Sequence, residues 1–509
     1  MIPVALQRSW LAALLALLAG ALFPLALSPF DWWPCAIVSV LLLHWLVRHV
    51  SLRRGLVLFY LYGVGLYGVG VSWVYVSIRD HGGASAWLAG FLVLLFVLAL
   101  ALFLLLQGYL YLKFLRRSLL GPSLGFAAAW IVREWLLTWL FTGFPWLFAG
   151  YGFIDTWLAG YGPLLGVLGI SYLVILQTCL LAMVGTALLR RRLPLAAGGV
   201  ALAASIWLGG WLLSNTTFVQ PTGEQLQVSA VQGNIDQDSK WRRAMVGPIL
   251  QTYTNLSAGE WGRDLIVWPE AAITLFRSDA KSFLQGLSAR GQATGTTVIM
   301  GIPDRDAEGN FLNSAIAVGQ GEGTYVKRRL VPFGEYVPLE SVLRGLIQLF
   351  DLPMSRNVSG ADQQAPLLVG ERRISMSICY EVVYPDLVRE TVEQPDLLVT
   401  ISNDTWFGAS IGPWQHLQMA RMRALENGRY MLRATNNGVT AVINQQGQVV
   451  ASLPQFEQGV LRAEVPMLSG VTPFARFGQL AVLLLVLGSL AAVLLWPVIL
   501  PNVSKAMIR

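Results

Sequence analysis

Long apolar runs separated by short polar loops fill the first 214 residues, and one further apolar run follows a long polar interval. A helix needs about 20 mainly apolar residues to cross the hydrocarbon core of a bilayer. The pattern therefore predicts a helical membrane bundle of eight transmembrane helices, seven before the polar interval and one after it. The predicted spans are residues 9–28, 32–47, 55–77, 86–112, 122–142, 163–189, 193–214 and 478–499.

The polar interval, residues 215–477, alternates short β-rich runs with stretches of helical spacing. The helical spacing covers residues 240–259, 279–293 and 413–433, and the β-rich runs have the pattern of buried or half-buried strands. Alternation of this kind is typical of one α/β layered domain. The predicted strands lie in LQVSAVQGN, DLIVWPE, TTVIMGIPD, NSAIAVG, TYVKRRLVPFGE, RRISMSICYE, PDLLVTISND and GVTAVINQQGQVV.

Charge is distributed unevenly along the chain. Residues 1–214 hold 12 Lys and Arg against 4 Asp and Glu, whereas residues 215–509 hold 24 against 25. Cytoplasmic loops retain Lys and Arg, so the clusters in alternate loops predict that both termini, including the tail 500–509, are cytoplasmic. Residues 215–477 should then lie on the opposite side of the membrane. The clustered residues are Arg48, Arg53, Arg54, Lys113, Arg116, Arg117, Arg190, Arg191 and Arg192.

Composition narrows the classes of function. The chain is 55% hydrophobic and only 13% charged, whereas a soluble domain carries about 25% charged residues, so an ordinary soluble globule is excluded. The net charge of +7 lies in loops between apolar runs, so it reports membrane orientation and does not indicate a nucleic-acid partner. The sequence has no glycine-rich phosphate loop and no His/Cys cluster, so we expect neither a metal nor a cofactor.

One charged pair falls within a predicted span. Arg133 and Glu134 occur in AAAWIVREWLLTW. Unpaired charge at membrane depth is costly and usually faces the protein interior, which suggests a functional site. A pair that only joins two helices explains the same pattern, so both interpretations stay open.

Reactive side chains lie at three of the predicted strands. Glu270 closes LIVWPE, where Pro269 stiffens the strand exit, and its carboxylate can serve as a base. Lys327 lies in TYVKRR, and Cys379 ends ISMSIC just before a predicted turn. A thiol there can be activated by a neighbouring base, and the backbone N–H groups that follow it can face a developing oxyanion. Taken singly, each residue also fits a structural role.

Taken together, VWPE, KRRLVPFGEYVP and ICYE, in this order and at these separations, resemble the motifs of the carbon–nitrogen hydrolase (nitrilase) superfamily. VQGN followed by Lys240-Trp241, SNDTWFG at 402–408 and the placement of the spans narrow the resemblance to one family, the bacterial apolipoprotein N-acyltransferases. The resemblance implies a nitrilase-like four-layer α-β-β-α sandwich for residues 215–477. It also implies a place in the bacterial inner membrane, with this domain in the periplasm.

The resemblance implies acyl transfer through a thioester. Glu270 would be the general base, Lys327 would stabilise the tetrahedral oxyanion, and Cys379 would be the nucleophile. The acyl donor would be a membrane phospholipid, and the acceptor would be the amino group of the diacylglyceryl-cysteine at the amino terminus of apolipoproteins. Two substrates that share one site predict ping-pong kinetics. From the residues alone, the choice between water and an amine as final acceptor stays open.

Four further residues match the family near the triad. Glu335, in PFGEYVP, resembles an additional glutamate that supports the triad, while Tyr380 and Glu381 flank the nucleophile. Trp241 matches a tryptophan near the substrate. For Trp241 and Glu381, packing or a helix-start carboxylate is an equally good explanation.

Apolar segments of the polar interval are candidates for the path of the acyl chains. Each buried CH₂ contributes about 0.8 kcal/mol, so acyl chains stay in the bilayer and the enzyme must reach them there. We hypothesise that residues 339–354 form a mobile arm that dips into the membrane interface, with core packing as the alternative. The candidate substrate-binding residues are Trp241, Leu346, Phe350, Trp406, Phe407 and Trp414.

Two other functions fit parts of the pattern. A membrane-tethered amidase or nitrilase would share the fold and use water as the final acceptor, although a soluble substrate needs no such membrane platform. A transporter with an external binding domain is less well supported, since the spans show few charges and no evident repeat. Apart from the phospholipid and the apolipoprotein we expect no partner, and we expect a monomer.

Overall fold

A computed structural model describes residues 9–332, 334–336, 357–391 and 393–499. A helical bundle comes first, an α/β domain follows, and a last apolar helix returns to the bundle. The hypothesised arm 339–354, with Leu346 and Phe350, lies outside the described residues.

Most of the bundle is built from helices joined by short 3₁₀ and π turns. The last helix of the chain packs against them, since Val482 and Val486 belong to the same apolar core as the bundle. The helices that precede the α/β domain are α1 Ser9–Leu22, α2 Pro34–Val47, α3 Leu52–Gly70, α4 Trp73–Val76, α5 Ala86–Leu110, α6 Phe126–Leu136, α7 Gly162–Leu189 and α8 Leu193–Ser214.

Within the described residues, fewer helices are long and apolar enough to cross a membrane than the eight predicted spans. Three helical segments are long and apolar enough to cross a membrane, and a fourth candidate is a pair bent by 55°. The three segments are Ala86–Leu115, Trp157–Leu189 and Leu193–Ser214, and the bent pair is Leu52–Gly70 with Trp73–His81. Shorter apolar helices cover Trp10–Ala26, Pro34–Val47 and Leu480–Leu495.

The predicted span 122–142 shows why the pattern overcounts full-length helices. Helix α6 ends at Leu136, and the chain then turns through Gly143, whose φ of 84° suits glycine. Pro145 follows and opposes further helix. After α6, residues 137–161 form a compact, mostly irregular segment beneath the α/β domain, in which Trp146, Phe148 and Phe153 are buried while Trp139 and Phe141 stay exposed.

Close helix packing explains the glycine-rich sequence GVGLYGVG in α3. A Cβ atom at Gly65 would lie 2.0 Å from the backbone oxygen of Leu17 in α1. A Cβ at Gly20 would lie 2.0 Å from the backbone oxygen of Tyr62. Only glycine therefore allows α1 and α3 to approach this closely.

The charged pair in α6 is fully enclosed in the bundle. Glu134 Oε1 accepts hydrogen bonds from Trp130 Nε1 at 2.8 Å, from the Ala149 backbone N–H at 3.1 Å and from Arg133 Nη2 at 3.3 Å. The guanidinium of Arg133 also lies 4.5 Å from the centre of the Trp130 ring. These contacts join α6 to the segment before α7 and support the helix-joining interpretation of the pair.

The α/β domain contains two six-stranded sheets. In the first, the order is β12-β1-β2-β3-β4-β5, with β1, β2 and β3 parallel. In the second, the order is β11-β10-β9-β8-β7-β6, with β7, β8 and β9 parallel. The strands are β1 Val219–Gln232, β2 Leu265–Val267, β3 Thr297–Arg305, β4 Phe311–Gly319, β5 Thr324–Val326, β6 Leu367–Val369, β7 Arg372–Ile378, β8 Leu397–Ser402, β9 Met431–Thr435, β10 Ala441–Ile443, β11 Val449–Ser452 and β12 Gly459–Gly470.

Helices cover the outer faces of both sheets, which gives the four layers that were expected. Apolar side chains from the two inner faces, such as Val267 and Val399, share one core. On the outer side of the first sheet, Leu284 packs with Ile266. The domain's helices and the last apolar helix are α9 Gln237–Lys240, α10 Val246–Leu256, α11 Lys281–Thr294, α12 Pro385–Glu390, α13 Gly412–Asn427, α14 Pro473–Phe477 and α15 Leu480–Ile499.

The core of the outer layer on the second sheet is continuous with the core of the bundle. Met419 and Ala420 of α13 and Met431 of β9 belong to the same buried cluster as Trp146 and Phe153. The second sheet therefore faces the bundle, and the first faces away from it.

Four predicted segments need correction. The helix predicted over 413–433 ends at Asn427, because Gly428 adopts a left-handed conformation with φ of 61° and β9 follows. The strand predicted in TYVKRRLVPFGE is restricted to β5, and GVTAVINQQGQVV forms the two strands β10 and β11 around a turn. The helical stretch predicted over 240–259 is helical as α10 only from Val246 to Leu256.

Candidate active site

Strand ends from both sheets bring the predicted catalytic residues into one site. Glu270 follows β2 and Lys327 follows β5 in the first sheet, while Cys379 follows β7 in the second. Lys327 Nζ lies 3.5 Å from Glu270 Oε1. The charges of both residues act on the Cys379 thiol. Residues separated by more than 100 positions in the sequence therefore meet where the two sheets face each other.

Lys327 lies between two carboxylates. Its Nζ is 2.8 Å from Glu335 Oε1 and 3.5 Å from Glu270 Oε1, and its side chain is only 1% exposed. Burial alone would lower the pKa of Lys327, but the negative charges of Glu335 and Glu270 outweigh burial and raise it. Lys327 is thus a permanent cation that can face a developing oxyanion.

Two asparagines, one through its side chain and one through its backbone, and a second lysine fix the position of Glu270. Asn313 Nδ2 donates to Glu270 Oε1 at 2.8 Å and to Glu335 Oε1 at 3.0 Å. The backbone N–H of Asn403, after β8, donates to Glu270 Oε2 at 2.9 Å. Lys240 Nζ donates to the Glu270 backbone oxygen at 3.3 Å, and burial lowers the pKa of Lys240 to about 8.

The prediction of the site did not include Asn313, and it quoted Lys240 and Asn403 only as parts of motifs. Asn313 lies in β4 beside the buried Ser314, Asn403 directly follows the fully buried strand β8, and Lys240 is itself buried at the end of the short polar helix α9. Buried polar groups need partners. A polar side chain in buried surroundings was the sequence signal that could have indicated these residues.

The backbone at Cys379 is held in an unusual conformation. Its φ is 53°, in the left-handed region that residues other than glycine rarely occupy. This sharp turn separates β7 from the 3₁₀ turn Cys379–Val383. Burial raises the pKa of the Cys379 thiol, the charge of Glu270 raises it further, and the charge of Lys327 lowers it in part. The resting thiol is therefore neutral and needs a base before it can act as a nucleophile.

Glu381 ties the turn at Cys379 to the loop that carries Lys327. Its carboxylate is fully buried and accepts hydrogen bonds from the backbone N–H groups of Ile378, Arg328 and Arg329 at 2.8, 2.6 and 3.0 Å. The Tyr325 hydroxyl donates to the same carboxylate at 3.0 Å. The contacts of Glu381 are thus with the backbone around the site and support a structural role.

The bundle forms one wall beside the site. The Tyr380 hydroxyl donates to the backbone oxygen of Gly143 at 3.4 Å, and the ring of Tyr380 is stacked on that of Trp146 at 6.4 Å between centroids. Both Gly143 and Trp146 belong to residues 137–161 of the bundle. The residue after Cys379 therefore rests directly on the bundle.

Two of the predicted substrate-binding aromatics pack at the same interface. Phe407 is buried, with its ring edge-on to that of Trp73 at 4.7 Å between centroids. The Trp406 ring lies 5.7 Å from the His81 ring, and its backbone oxygen accepts a hydrogen bond from Ser77 Oγ at 2.7 Å. These contacts join the SNDTWFG loop to α4 and the turn after it.

The other two described aromatics are more open. Trp241 is 41% exposed at the end of α9, directly after the buried Lys240 that contacts Glu270. Trp414 is 38% exposed and lines a cavity of about 420 Å³ together with Ser28. Trp241 therefore lies near the candidate base, whereas the cavity at Trp414 lies between the domain and the loop after α1.

Within the described ranges, no three His, Cys, Asp or Glu side chains are grouped so that they could hold a metal ion. The groups at the site are a thiol, an ammonium and carboxylates. This set is suited to nucleophilic acyl chemistry with a general base.

Comparison with known proteins covers both parts of the chain. The family model described as carbon-nitrogen hydrolase matches residues 227–472 and confirms the predicted fold of the α/β domain. The model for the apolipoprotein N-acyltransferase N-terminal domain matches residues 19–180. Apolipoprotein N-acyltransferase of Pseudomonas syringae pv. tomato is 45% identical over 507 residues, which cover 98% of this chain and 99% of that protein. The protein of the same name from Azotobacter vinelandii is 46% identical and covers 94% of this chain and 95% of its own length.

Solved structures similar to the chain include a carbon-nitrogen hydrolase from Helicobacter pylori, with a TM-score of 0.36 and 14% identity. The match covers 48% of this chain and 89% of that one. An amidase from Nesterenkonia matches with a TM-score of 0.35 and 18% identity, over 51% of this chain and 98% of its own.

Proposed function

The chain belongs to the apolipoprotein N-acyltransferase family, and from this premise we propose that it moves a fatty acyl chain from a phospholipid to an apolipoprotein. The acceptor is the amino group of the diacylglyceryl-cysteine at the apolipoprotein's amino terminus. Cys379 carries the acyl chain as a thioester between the two half-reactions. The products are a lysophospholipid and an N-acylated lipoprotein.

In the first half-reaction Glu270 takes the proton of the Cys379 thiol, and the sulfur attacks the ester carbonyl carbon of the phospholipid. The raised pKa of this thiol makes the neighbouring base necessary. The negative charge on the carbonyl oxygen is stabilised by the Lys327 ammonium and by the backbone N–H of Tyr380. The intermediate then breaks its C–O bond, and Glu270 returns the proton to the leaving lysophospholipid.

In the second half-reaction the amino group of the apolipoprotein attacks the thioester carbonyl carbon. Glu270 accepts the amine proton, the C–S bond breaks, and the released Cys379 thiolate regains a proton. Both substrates use the same carbonyl position, so the proposed mechanism is ping-pong. Glu335 shares Lys327 with Glu270 and keeps the ammonium oriented, as supported by its 2.8 Å contact.

We further propose that the chain lies in the bacterial inner membrane with eight crossings, seven of them in residues 1–214 and one in residues 478–499. The catalytic domain, residues 215–477, would be periplasmic, with both termini and the tail 500–509 cytoplasmic. The long apolar helices and the excess of Lys and Arg in alternate loops support this arrangement. A reporter fused near residue 240 should be active only on the periplasmic side.

The buried Lys327 between Glu270 and Glu335, beside a thiol on a sharp turn, is the observation that carries the proposed chemistry. Stabilised charges of both signs next to a neutral thiol are what a two-step acyl transfer requires. The contact of Tyr380 with Gly143 supports a site next to the bundle, where lipid substrates would be within reach.

The test is mass spectrometry of Cys379 in the full-length protein in phospholipid vesicles. A fatty-acyl adduct should form on Cys379 without acceptor and disappear when a diacylglyceryl peptide is added, with the acyl chain recovered on that peptide. Cys379→Ala should abolish both steps. Cys35→Ala, which removes a thiol in α2, is the matched control and should leave both steps intact.

Each alternative function predicts a different result. Release of free fatty acid, with no acylated peptide, would identify a membrane-tethered hydrolase. A protein that forms no adduct on Cys379 would contradict the thioester mechanism. A transporter with an external binding domain would keep its activity in Cys379→Ala.

A further inference from the structure

A buried polar network lies behind Cys379 on the second sheet, and the acyl-transfer mechanism above does not use it. His416 Nε2 is 3.1 Å from the Cys379 backbone oxygen, and its Nδ1 is 3.1 Å from Asp404 Oδ1. Arg433 Nη2 lies 2.5 Å from Asp404 Oδ2 and 3.1 Å from His416 Nδ1. Ser402 Oγ donates to Asp404 Oδ1 at 2.6 Å.

The network is closed to solvent, and the bundle provides part of the cover. The side chains of His416, Asp404 and Arg433 are 0% exposed. The Trp146 ring is stacked on the His416 imidazole at 6.0 Å between centroids, and the Phe407 ring meets it edge-on at 5.7 Å. Water therefore cannot replace a hydrogen bond that is lost here.

The contact with Cys379 requires a proton on one of the two imidazole nitrogens. The Cys379 backbone oxygen can only accept, so His416 Nε2 must donate to it. Nδ1 lies 3.1 Å from an acceptor, Asp404 Oδ1, and 3.1 Å from a donor, Arg433 Nη2. Burial and the charge of Arg433 lower the pKa of His416, which favours a neutral ring with its proton on Nε2.

We propose that His416 is a positioning residue that orients the oxyanion donor by holding the carbonyl of Cys379. In a trans peptide the C=O and the following N–H point in opposite directions. Fixing the Cys379 carbonyl toward His416 thus turns the Tyr380 N–H toward the opposite side, where the oxyanion forms. This inference rests on the proposed acyl transfer and adds a residue to it.

The strained turn at Cys379 needs such a restraint. A non-glycine residue with φ of 53° stays in that conformation only when its surroundings hold it. On the amino-terminal side, Glu381 Oε2 holds the Ile378 N–H at 2.8 Å. On the carboxyl-terminal side, His416 holds the carbonyl, so the turn is fixed at both ends.

The test compares two variants of nearly equal shape. In His416→Gln the side-chain amide can place an N–H near the former Nε2, whereas His416→Met fills the same volume without a donor. The full-length proteins are incorporated into phospholipid vesicles, and formation of the Cys379 thioester is followed at several phospholipid concentrations. Alkylation of Cys379 by iodoacetamide is measured in parallel, because that reaction forms no oxyanion.

His416→Met should lower kcat of thioester formation by about 10²–10³-fold, the usual effect of losing one oxyanion donor. KM for phospholipid and the alkylation rate should stay near wild type, since His416 touches neither substrate nor sulfur. His416→Gln should recover most of kcat. This rescue separates positioning from a merely structural role.

Three results would overturn the inference. The first is a His416→Met protein with wild-type kcat. The second is a His416→Gln protein that folds and is as slow as His416→Met, and the third is equal loss of alkylation and acylation. If His416→Met does not fold, a folded His416→Gln protein with a kcat far below that of wild type would still overturn the inference. Absence of a thioester in wild type would instead contradict the proposed function itself.

Discussion

The helices on the outer faces of the two sheets differ sharply in burial, although both lie on similar sheets. In α13, on the second sheet, 14 of 16 residues are buried, whereas in α11, on the first sheet, only 3 of 14 are buried. The sequence of α13, GPWQHLQMARMRALEN, is nevertheless rich in polar residues. The bundle, which covers α13 and not α11, makes the difference.

Polar side chains of α13 find their partners in the bundle. Gln415 Oε1 accepts from Trp146 Nε1 at 2.6 Å, and Gln418 Oε1 accepts from the Ser28 backbone N–H at 3.2 Å. Glu426 Oε1 accepts from the backbone N–H of Val167 in α7 at 2.8 Å. The difference in burial between α13 and α11 therefore shows that buried polar contacts fix the position of the α/β domain on the bundle, because such contacts tolerate little displacement.

The largest effect should come from removing the carboxylate of Glu426. Glu426→Ala leaves Arg423 buried without its ion-pair partner and the Val167 N–H without its acceptor. Loss of one partner of a buried pair costs about 3–5 kcal/mol, so the free energy of unfolding should fall by that amount in detergent at pH 8. Gln292→Ala, at an exposed position of α11, is the control and should stay within about 0.5 kcal/mol of wild type. Equal losses would remove the distinction between the two helices.

The same residue should make stability depend on pH. Burial raises the pKa of Glu426 to about 7, above its value of about 4.3 in an unfolded chain. Between about pH 4.3 and 7 the folded state therefore binds more protons than the unfolded state. The contribution of Glu426 to stability is fully present below about pH 4.3 and is lost as the pH rises through 7. Glu426→Gln should lack this contribution. Thermal unfolding of both proteins from pH 4.5 to 8 measures it, and parallel curves would contradict it.

A smaller effect should follow from Trp146→Phe. The change keeps an aromatic ring against His416 and Tyr380 but leaves the buried Gln415 oxygen without its donor. An unsatisfied buried acceptor costs about 1–3 kcal/mol. Chemical denaturation should show this loss, and the double variant Trp146→Phe with Gln415→Leu should recover part of it. Failure of the second change to compensate would mean that the hydrogen bond is not the cause.

The smallest effect should occur on α11. The Arg290 guanidinium lies 4.7 Å from the centre of the Trp261 ring at the exposed surface. Exposed cation–π contacts contribute about 0.5–1 kcal/mol, so Arg290→Ala should lower the free energy of unfolding by no more than that. Arg290→Lys should retain part of it. A loss as large as that of Glu426→Ala would show that α11 is not the loosely attached layer.

Local sequence signals were sufficient where one segment determines its own structure. The runs that became β3, β4 and β8 are apolar and bounded by turn residues, so their strands were predictable. Helix α13 was predicted as well, but its end depends on Gly428, whose left-handed conformation is not unique to helix ends. The predicted span 122–142 is α-helical only as far as Leu136, because apolar composition does not distinguish a helix from an irregular segment such as residues 137–161.

The site residues that stand in recognisable motifs could be predicted from the sequence. Glu270, Lys327, Glu335 and Cys379 stand in recognisable sequences, and the structure brings all four together, while their catalytic roles remain proposals. His416 carries no such local signal. Its partner at the nucleophile is 37 positions away, and the contact of Trp146 with Gln415 spans 269 positions. Contacts at such separation arise only when the domain and the bundle are folded together.

The covered face of α13 has a practical consequence for anyone who wishes to handle the catalytic half alone. A truncated protein restricted to residues 215–477 would present the acceptors of Gln415, Gln418 and Glu426 to water, next to apolar side chains that share a core with the bundle. Such a fragment is expected to aggregate. Inhibitor screening and crystallisation therefore call for the intact chain.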